Sequence, residues 1–256
     1  MKPRPRAARG VPLARALSKL GLATRSEARE LIEQRRVRVD GRLPPDPAML
    51  VVPEQIRVTI DGAHQALPAA IVVALHKPRG VVTTRRDPQG RPTVYSLISD
   101  LDAHVVPVGR LDVATSGLLL LTNDTRLAEW LTNPDNEVPR VYLVTVRGRV
   151  TPDEVERLHR GVTHDNERLV ARAVAIRKTS TRESLLIVEV IEGRNREIRR
   201  MMLAIGHGVT RLRRVQFGGL SIDGLPPGEW RTVSRAELRR AFPHARFGYL
   251  RPDQRR

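Results

Sequence analysis

Gly109-Arg110-Leu111-Asp112-Val113-Ala114-Thr115-Ser116-Gly117 sets one carboxylate in a loop with glycines at both ends, directly before the apolar run Leu118–Leu121. Glycines let a backbone approach a ligand closely, and a strand behind the loop points Asp112 off the end of a rigid element. Arg110, two residues away, is placed to hold that carboxylate ionised, while Thr115 and Ser116 offer hydroxyls for orientation. Spacing alone also allows an aspartate that merely makes a structural turn, and taken by itself favours it. A second segment is Gly193-Arg194-Asn195-Arg196-Glu197-Ile198-Arg199-Arg200-Met201. Between Gly193 and Arg214 seven arginines face one acid, Glu197, a net charge of 7 − 1 = +6. Arginines at a helix N-terminus add to its macrodipole and make a phosphate site. Basic residues sit more comfortably at a helix C-terminus, so the arrangement costs stability and implies a use.

Other chemistries find little support. The chain has no cysteine, which removes thiol nucleophiles, disulfides and cysteine zinc sites. His104, His164, His207 and the other histidines lack close partners at metal-ligand spacing, so no metal is expected. Of 256 residues, 40% are apolar and 29% charged, which is ordinary for a globular protein of one or two domains. No apolar run reaches the length of a membrane span, and the basic N-terminus has no apolar stretch behind it, so no secretory signal is expected. A cytoplasmic protein fits these features. The charge is the unusual quantity: 45 Lys and Arg against 28 Asp and Glu leave 45 − 28 = +17. Such an excess calls for a polyanionic partner, and charge alone admits RNA, DNA or an acidic membrane.

The elements that must position these groups fall into two units. Residues 1–10 read as a disordered basic arm. Pro12 opens a helix with Leu13, Ala16, Leu17 and Leu20 on one face, ending at Gly21. Thr24 and Glu27 form a capping-box pair for a second helix, and Val37 and Val39 alternate around Arg38 in a short strand turned by Asp40-Gly41. Residues 1–42 carry twelve Lys or Arg against four acids, net 12 − 4 = +8, which suits an RNA-docking module over 11–60. A polar segment over 61–69 reads as a linker. From about Ala70 strands alternate with helices to residue 243: strands at Ile71–Leu75, Leu118–Leu121, Val141–Val146, Leu169–Ile176, Leu185–Ile191 and Val209–Val215, with Val141–Val146 central. Helices are marked by Leu127, Trp130 and Leu131, by Thr151-Pro152 with Glu154, by Ile198 to Ile205 closing at Gly206, and by Ser234 with Glu237. This predicts an α+β domain with a mixed or antiparallel sheet, ahead of a basic tail over 244–256.

Gly109–Gly117 with Leu118–Asp124 closely resembles the catalytic motif of the pseudouridine synthases that act on bacterial ribosomal RNA, the small-subunit uridine-516 synthase and its large-subunit relatives. His76-Lys77-Pro78-Arg79-Gly80, Arg140-Val141-Tyr142 with Gly148, and Glu192–Met202 extend the match in order, and residues 12–42 resemble the S4-type RNA-binding module of these enzymes. The resemblance makes Asp112 the catalytic aspartate, Tyr142 the aromatic residue that stacks on uracil, and Arg199 the basic partner of the aspartate. Lysine is common where Arg140 stands, and Pro12 stands where a basic residue is frequent. Candidate RNA contacts are Arg25, Arg29, Arg35, Arg36 and Arg38 in the first unit and Lys77, Arg110, Arg194, Arg196 and Arg200 in the second.

The implied reaction breaks the C1′–N1 bond of a uridine and joins C1′ to C5, with the base flipped from its helix. Asp112 either attacks C1′ or takes a proton from C2′. Arg199 would keep it ionised against desolvation, and the Tyr142 hydroxyl is placed to help with the C5 proton. No cofactor or metal is required. The expected partner is ribosomal RNA or a pre-ribosomal particle, met by a monomer. Competing readings are a non-catalytic RNA-binding ribosome-assembly factor on the same scaffold and a DNA-binding regulator, the latter without a recognition-helix pair. Gly80-Val81-Val82-Thr83-Thr84 followed by Asp87-Pro88-Gln89-Gly90-Arg91 leans to the large-subunit branch.

Overall fold

In the computed structural model the described residues are 10–65 and 70–245. Residues 1–9 of the basic arm expected over 1–10, the end of the tail over 246–256, and 66–69 lie outside them. The first module follows local rules. After β1 (Val11–Pro12), Pro12 caps α1 (Leu13–Lys19), which buries Leu13, Ala16 and Leu17. α2 (Arg25–Glu33) opens with the reciprocal capping box: the Glu27 N–H donates to Thr24 Oγ1 at 3.1 Å, and the Thr24 N–H donates to the Glu27 carboxylate at 2.7 Å. β2 (Val37–Val39), β4 (Val58–Ile60) and β5 (Ala63–His64) form a small sheet, while β3 (Leu50–Val51) pairs with β1. The linker expected from residue 61 is therefore corrected. Asp61 and Gly62, with φ of 53° and 77°, make a hairpin turn, and β5 folds back on β4.

The second module is built on a mixed nine-stranded sheet. In chain order its elements are β6 (Val72–Lys77), β7 (Val106–Pro107), β8 (Ser116–Thr122), α3 (Thr125–Thr132), β9 (Arg140–Arg147) and α4 (Pro152–Arg160). A hairpin of β10 (Val162–His164) and β11 (Glu167–Leu169) comes next, then β12 (Ala173–Thr179), β13 (Glu183–Val190) and α5 (Glu197–Ala204). β14 (Val209–Phe217), β15 (Leu220–Ser221), β16 (Trp230–Thr232) and α6 (Arg235–Ala241) complete it. The sheet runs β12-β13-β9-β14-β8-β6-β16, with β15 on β14 and β7 on β8. The strand expected over 169–176 is broken: the Ala171 N–H donates to the Leu158 carbonyl at the end of α4, turning the chain out of the hairpin and into the sheet edge. The tail boundary at 244 also moves, because Ala245 packs in the core.

β6 and β8 are buried on both faces, which explains their unbroken apolar sequence. Val72, Ala74, Leu118 and Leu120 pack under α3 and α6 with Phe217, Leu238 and Phe242. Val73, Leu75, Leu119 and Leu121 face a second cluster with Val94, Val105 and Leu111. A third cluster joins Val144, Val146, Leu186 and Val188 to Leu158, Met201 and Met202.

β14 pairs in parallel with β8 and antiparallel with β9, setting Arg214 opposite Gly117 on one side and opposite Tyr142 on the other. Gly117 has φ of +116°, and a Cβ there would lie 2.2 Å from the Arg214 carbonyl oxygen and 2.5 Å from its nitrogen. The join between the loop and the sheet thus depends on the missing side chain. Gly117→Ala should destabilise by on the order of 3 kcal/mol or more through backbone strain and overpacking. A denaturant midpoint within error of wild type would contradict so strict a contact.

Candidate active site

The Asp112 loop is clamped from beneath. β6 ends in Lys77, which is wholly buried, and its Nζ donates to the carbonyls of Thr115 at 2.8 Å, Pro78 at 3.0 Å and Asp112 at 3.1 Å. Thr83 Oγ1 donates to the Leu111 carbonyl at 2.8 Å, the Gly80 N–H donates to the Val113 carbonyl at 2.8 Å, and the Thr115 N–H closes a turn onto the Asp112 carbonyl at 2.9 Å. Every one of these bonds holds backbone. The Asp112 side chain stays exposed, on the wall of a cleft of about 280 Å³. That volume is near the lower end of ligand pockets, roughly 300–1,000 Å³, and suits one base.

Tyr142, half-buried on β9, lines the same cleft, as do the exposed Arg110, Arg194 and Arg196. Three buried charged residues lie in its wall: Arg140, Glu197 and Arg214. Arg140 donates to the carbonyls of Leu131, Val138 and Ile191. Burial pushes the Lys77 ammonium down to about 8, opposed by the negative charge of Asp112. Glu197, on the first turn of α5, is pushed up to about 7 by burial, with Glu192 adding to the effect and Arg194 and Arg140 opposing it.

Two expectations need correction. Lys77 cannot reach RNA, because its ammonium is enclosed and its N–H groups go to loop carbonyls. Asp112 is not desolvated, so nothing about its burial calls for a countercharge. Arg199 stands beside the loop rather than against the carboxylate: its Nη2 donates to the Ala114 carbonyl and its Nη1 to that of Val209, each at 3.4 Å. Burial lowers its guanidinium from the usual range, and the charge of Asp112 opposes that shift.

The remaining candidates divide by partner. Arg25, Arg29, Arg35 and Arg38 are exposed on the first module. Arg36 is held by Asp61 at 2.6 Å, Arg200 by Glu167 at 2.7 Å, and Arg194 by Glu192. A depression between the modules is lined by Arg15, Lys19, Arg25 and Glu129, and it shares Gly109 and Thr132 with the cleft. Arg15 and Lys19 pair with Glu129 at 3.8 and 3.5 Å.

Sequence reasoning missed Arg214 and Glu197 as wall residues. The period-two pattern of β14 held one signal, since Leu212 and Arg214 turn inward while Arg211 and Arg213 turn out.

Comparison with known proteins gives a consistent picture. Residues 71–204 match the RNA pseudouridylate synthase family and residues 11–56 match the S4 domain. An RNA pseudouridine synthase of Aquifex aeolicus is 35% identical over 94% of this chain and 96% of its own length. The ribosomal large subunit pseudouridine synthase B of Yersinia pestis is 37% identical over 86% of this chain and 72% of its own length. A crystal structure of a pseudouridylate synthase shares the fold with a TM-score of 0.60, at 24% identity over 89% of this chain and 98% of that one.

The raised pKa of Glu197 has a checkable consequence. Its carboxyl takes up protons more readily in the folded state than in the unfolded one, whose ordinary value is near 4.5. Its contribution to stability is therefore complete below about pH 4.5 and is lost as pH rises through about 7. Glu197→Gln, which cannot ionise, should be more stable than wild type at pH 8 by roughly 1–3 kcal/mol, the two converging near pH 4.5. Urea denaturation at both pH values measures the difference. An offset that does not change with pH would show that ionisation of Glu197 is not its source.

Proposed function

We propose a reaction from the premise that this chain belongs to the RNA pseudouridylate synthase family and carries an S4 domain: it isomerises a uridine of ribosomal RNA to pseudouridine. The observation that carries this reading is Asp112, exposed on a backbone-clamped loop at a cleft of one-base size that also holds Tyr142. The flipped uracil stacks on the Tyr142 ring. An Asp112 oxygen forms a bond to C1′ or removes the C2′ proton. On either route the C1′–N1 electron pair leaves with the base, which departs as an anion. The base turns within the cleft and C5 bonds to C1′ as the Asp112 oxygen departs from C1′ or, on the other route, as Asp112 returns its proton to C2′; the C5 proton is then lost with help from the Tyr142 hydroxyl, and N1 gains a proton. Arg199 acts on Asp112 through space, adding positive potential beside the loop.

The substrate belongs to large-subunit ribosomal RNA on this reading, as the name of the Yersinia relative suggests. The protein works as a monomer in the cytoplasm, on RNA or on a pre-ribosomal particle. Among the described residues no helix is long and apolar enough to cross a membrane. RNA enters along the basic face of the first module, past Arg29, Arg25 and Lys19 to Gly109, with Arg110, Arg194 and Arg196 gripping phosphates at the cleft. A binder without catalysis would have no use for an exposed carboxylate set among arginines that attract phosphate.

Asp112→Asn keeps the size of the side chain and removes its charge. Single-turnover conversion should vanish while RNA affinity holds or rises, and residual activity within tenfold of wild type would sink the assignment. The docking path is tested separately. Each phosphate contact contributes about 0.7–0.9 to the slope of log affinity against log salt. Arg25→Gln with Arg29→Gln should thus flatten that slope by roughly 1.5 and weaken binding, with the catalytic step at saturating enzyme little changed. An unchanged slope would move the RNA path elsewhere.

A further inference from the structure

Arg214 carries chemistry that neither the clamp nor the docking path uses. It is 4% exposed, in the middle of β14, and belongs to the cleft wall. Its Nε donates to the Leu118 carbonyl at 2.7 Å, and its guanidinium lies over the Phe217 ring at 5.0 Å. Those contacts fix the plane of the group, yet its Nη2 is buried with no hydrogen-bond partner among the described residues. Buried donors left unpaired are uncommon, and in a cleft they mark a place reserved for a ligand acceptor. Arg214 also repels two other buried cations, Arg140 and Lys77. Arg140 and Arg214, the buried cations of the wall itself, are in no ion pair among the described residues, and Glu197 beside them is only partly ionised near pH 7, so the wall presents a positive potential in a poorly solvated place.

The register says which part of an RNA this potential would meet. Arg214 is the cross-strand neighbour of Tyr142, and its other neighbour, Gly117, heads the strand that follows the Asp112 loop. Directly opposed residues in a sheet share a face at about 5 Å between Cβ atoms. A base stacked on Tyr142 therefore has its edge within reach of Arg214. Phosphates are served at the exposed rim, where Arg110, Arg194 and Arg196 stand.

We propose that Arg214 is a catalytic residue: its free Nη2–H donates to a carbonyl oxygen of the flipped uracil and stabilises the anion that the base becomes when the C1′–N1 bond breaks. The inference rests on the reading that uridine reacts in this cleft. When the electron pair moves onto N1, the charge spreads to O2 and O4. A cation already fixed and desolvated there acts more strongly on that charge than on the neutral base, which is the condition for catalysis rather than mere binding. The charge returns to carbon when C5 bonds to C1′, and the proton lost from C5 balances the one gained at N1, so Arg214 neither gives nor takes a proton overall.

The experiment compares leaving groups. Unmodified large-subunit ribosomal RNA transcripts are made with uridine or with 5-fluorouridine, whose more acidic base needs less help to depart. Single-turnover loss of the starting nucleoside is then followed by mass spectrometry of nuclease digests. Removing one preorganised donor costs roughly 100-fold or more in rate. Arg214→Met should slow uridine by about that factor and 5-fluorouridine at least roughly tenfold less. Arg214→Lys keeps the charge without the fork, and should fall between with the same bias, so the test survives if the Met variant fails to fold. Equal losses on both substrates would make Arg214 a structural residue and overturn the proposal, as would no loss at all. Asp112→Asn is run in parallel and should be inactive on both transcripts. If it turns over, the reading of the cleft itself has failed, independently of Arg214.

Discussion

A buried ammonium at the end of β6 is the interaction on which the site depends. Lys77 is fully enclosed, and burying a charge is costly unless it is compensated. The compensation comes from three carbonyl dipoles, of Pro78, Asp112 and Thr115, and from the negative charge of Asp112 nearby. Hydrogen bonds from a charged donor contribute about 1.5–3 kcal/mol each, so the loop backbone is held firmly. The ammonium takes the backbone carbonyl of Asp112 rather than its carboxylate. A direct ion pair would have occupied the oxygen lone pairs that the chemistry needs. Holding the main chain instead fixes the position of the acid and leaves its oxygens open.

The parallel pairing of β14 with β8 carries that fixed point across the sheet. Because Gly117 has no side chain, β14 can approach β8 closely, while its other ladder, with β9, sets Arg214 in line with Tyr142. Loop, ring and guanidinium then share one rigid frame, and relative positions at a reacting centre matter at the scale of an ångström. The same closeness gathers Lys77, Arg140 and Arg214 into a region where charges are poorly screened. The exposed arginines at the rim are screened within about 10 Å at ordinary salt. Salt should consequently act on the grip of RNA far more than on the field inside the cleft.

Much of this was legible in the sequence, and the failures have physical causes. Capping boxes, apolar runs and glycine stops located the helices and most strands because those signals are local. The Asp61-Gly62 pair is a strong hairpin signal, but β5 is only two residues long and shows no alternation, so the segment reads as a linker. In the sequence Lys77 reads as an RNA contact. Its place just after the apolar run Ile71–Leu75 is the contrary hint, and the structure buries that strand at every position. The role of Arg199 followed from the resemblance alone. Its actual contact, the Ala114 carbonyl 85 residues away in sequence, depends on how α5 crosses the Asp112 loop, and no local pattern encodes that.

Glu197 and Arg214 show why the chemistry of a site is harder to read than its motifs. Both lie in segments where arginine dominates, and in a chain of net +17 each looks like part of a solvated basic surface. Burial changes their meaning. In water an arginine is a screened charge with no preference among anions. In the cleft wall, with Nε committed and the ring of Phe217 beneath it, the plane of the same group is fixed and its buried Nη2 has no partner among the described residues. Glu197 undergoes the opposite change, from a carboxylate that would neutralise neighbouring arginines to one held near its proton at neutral pH. Partly protonated near pH 7, it cancels less of the positive charge of Arg140 and Arg214 than a fully ionised carboxylate would. A departing base anion needs that imbalance, and it follows from burial rather than from the number of charges in the sequence.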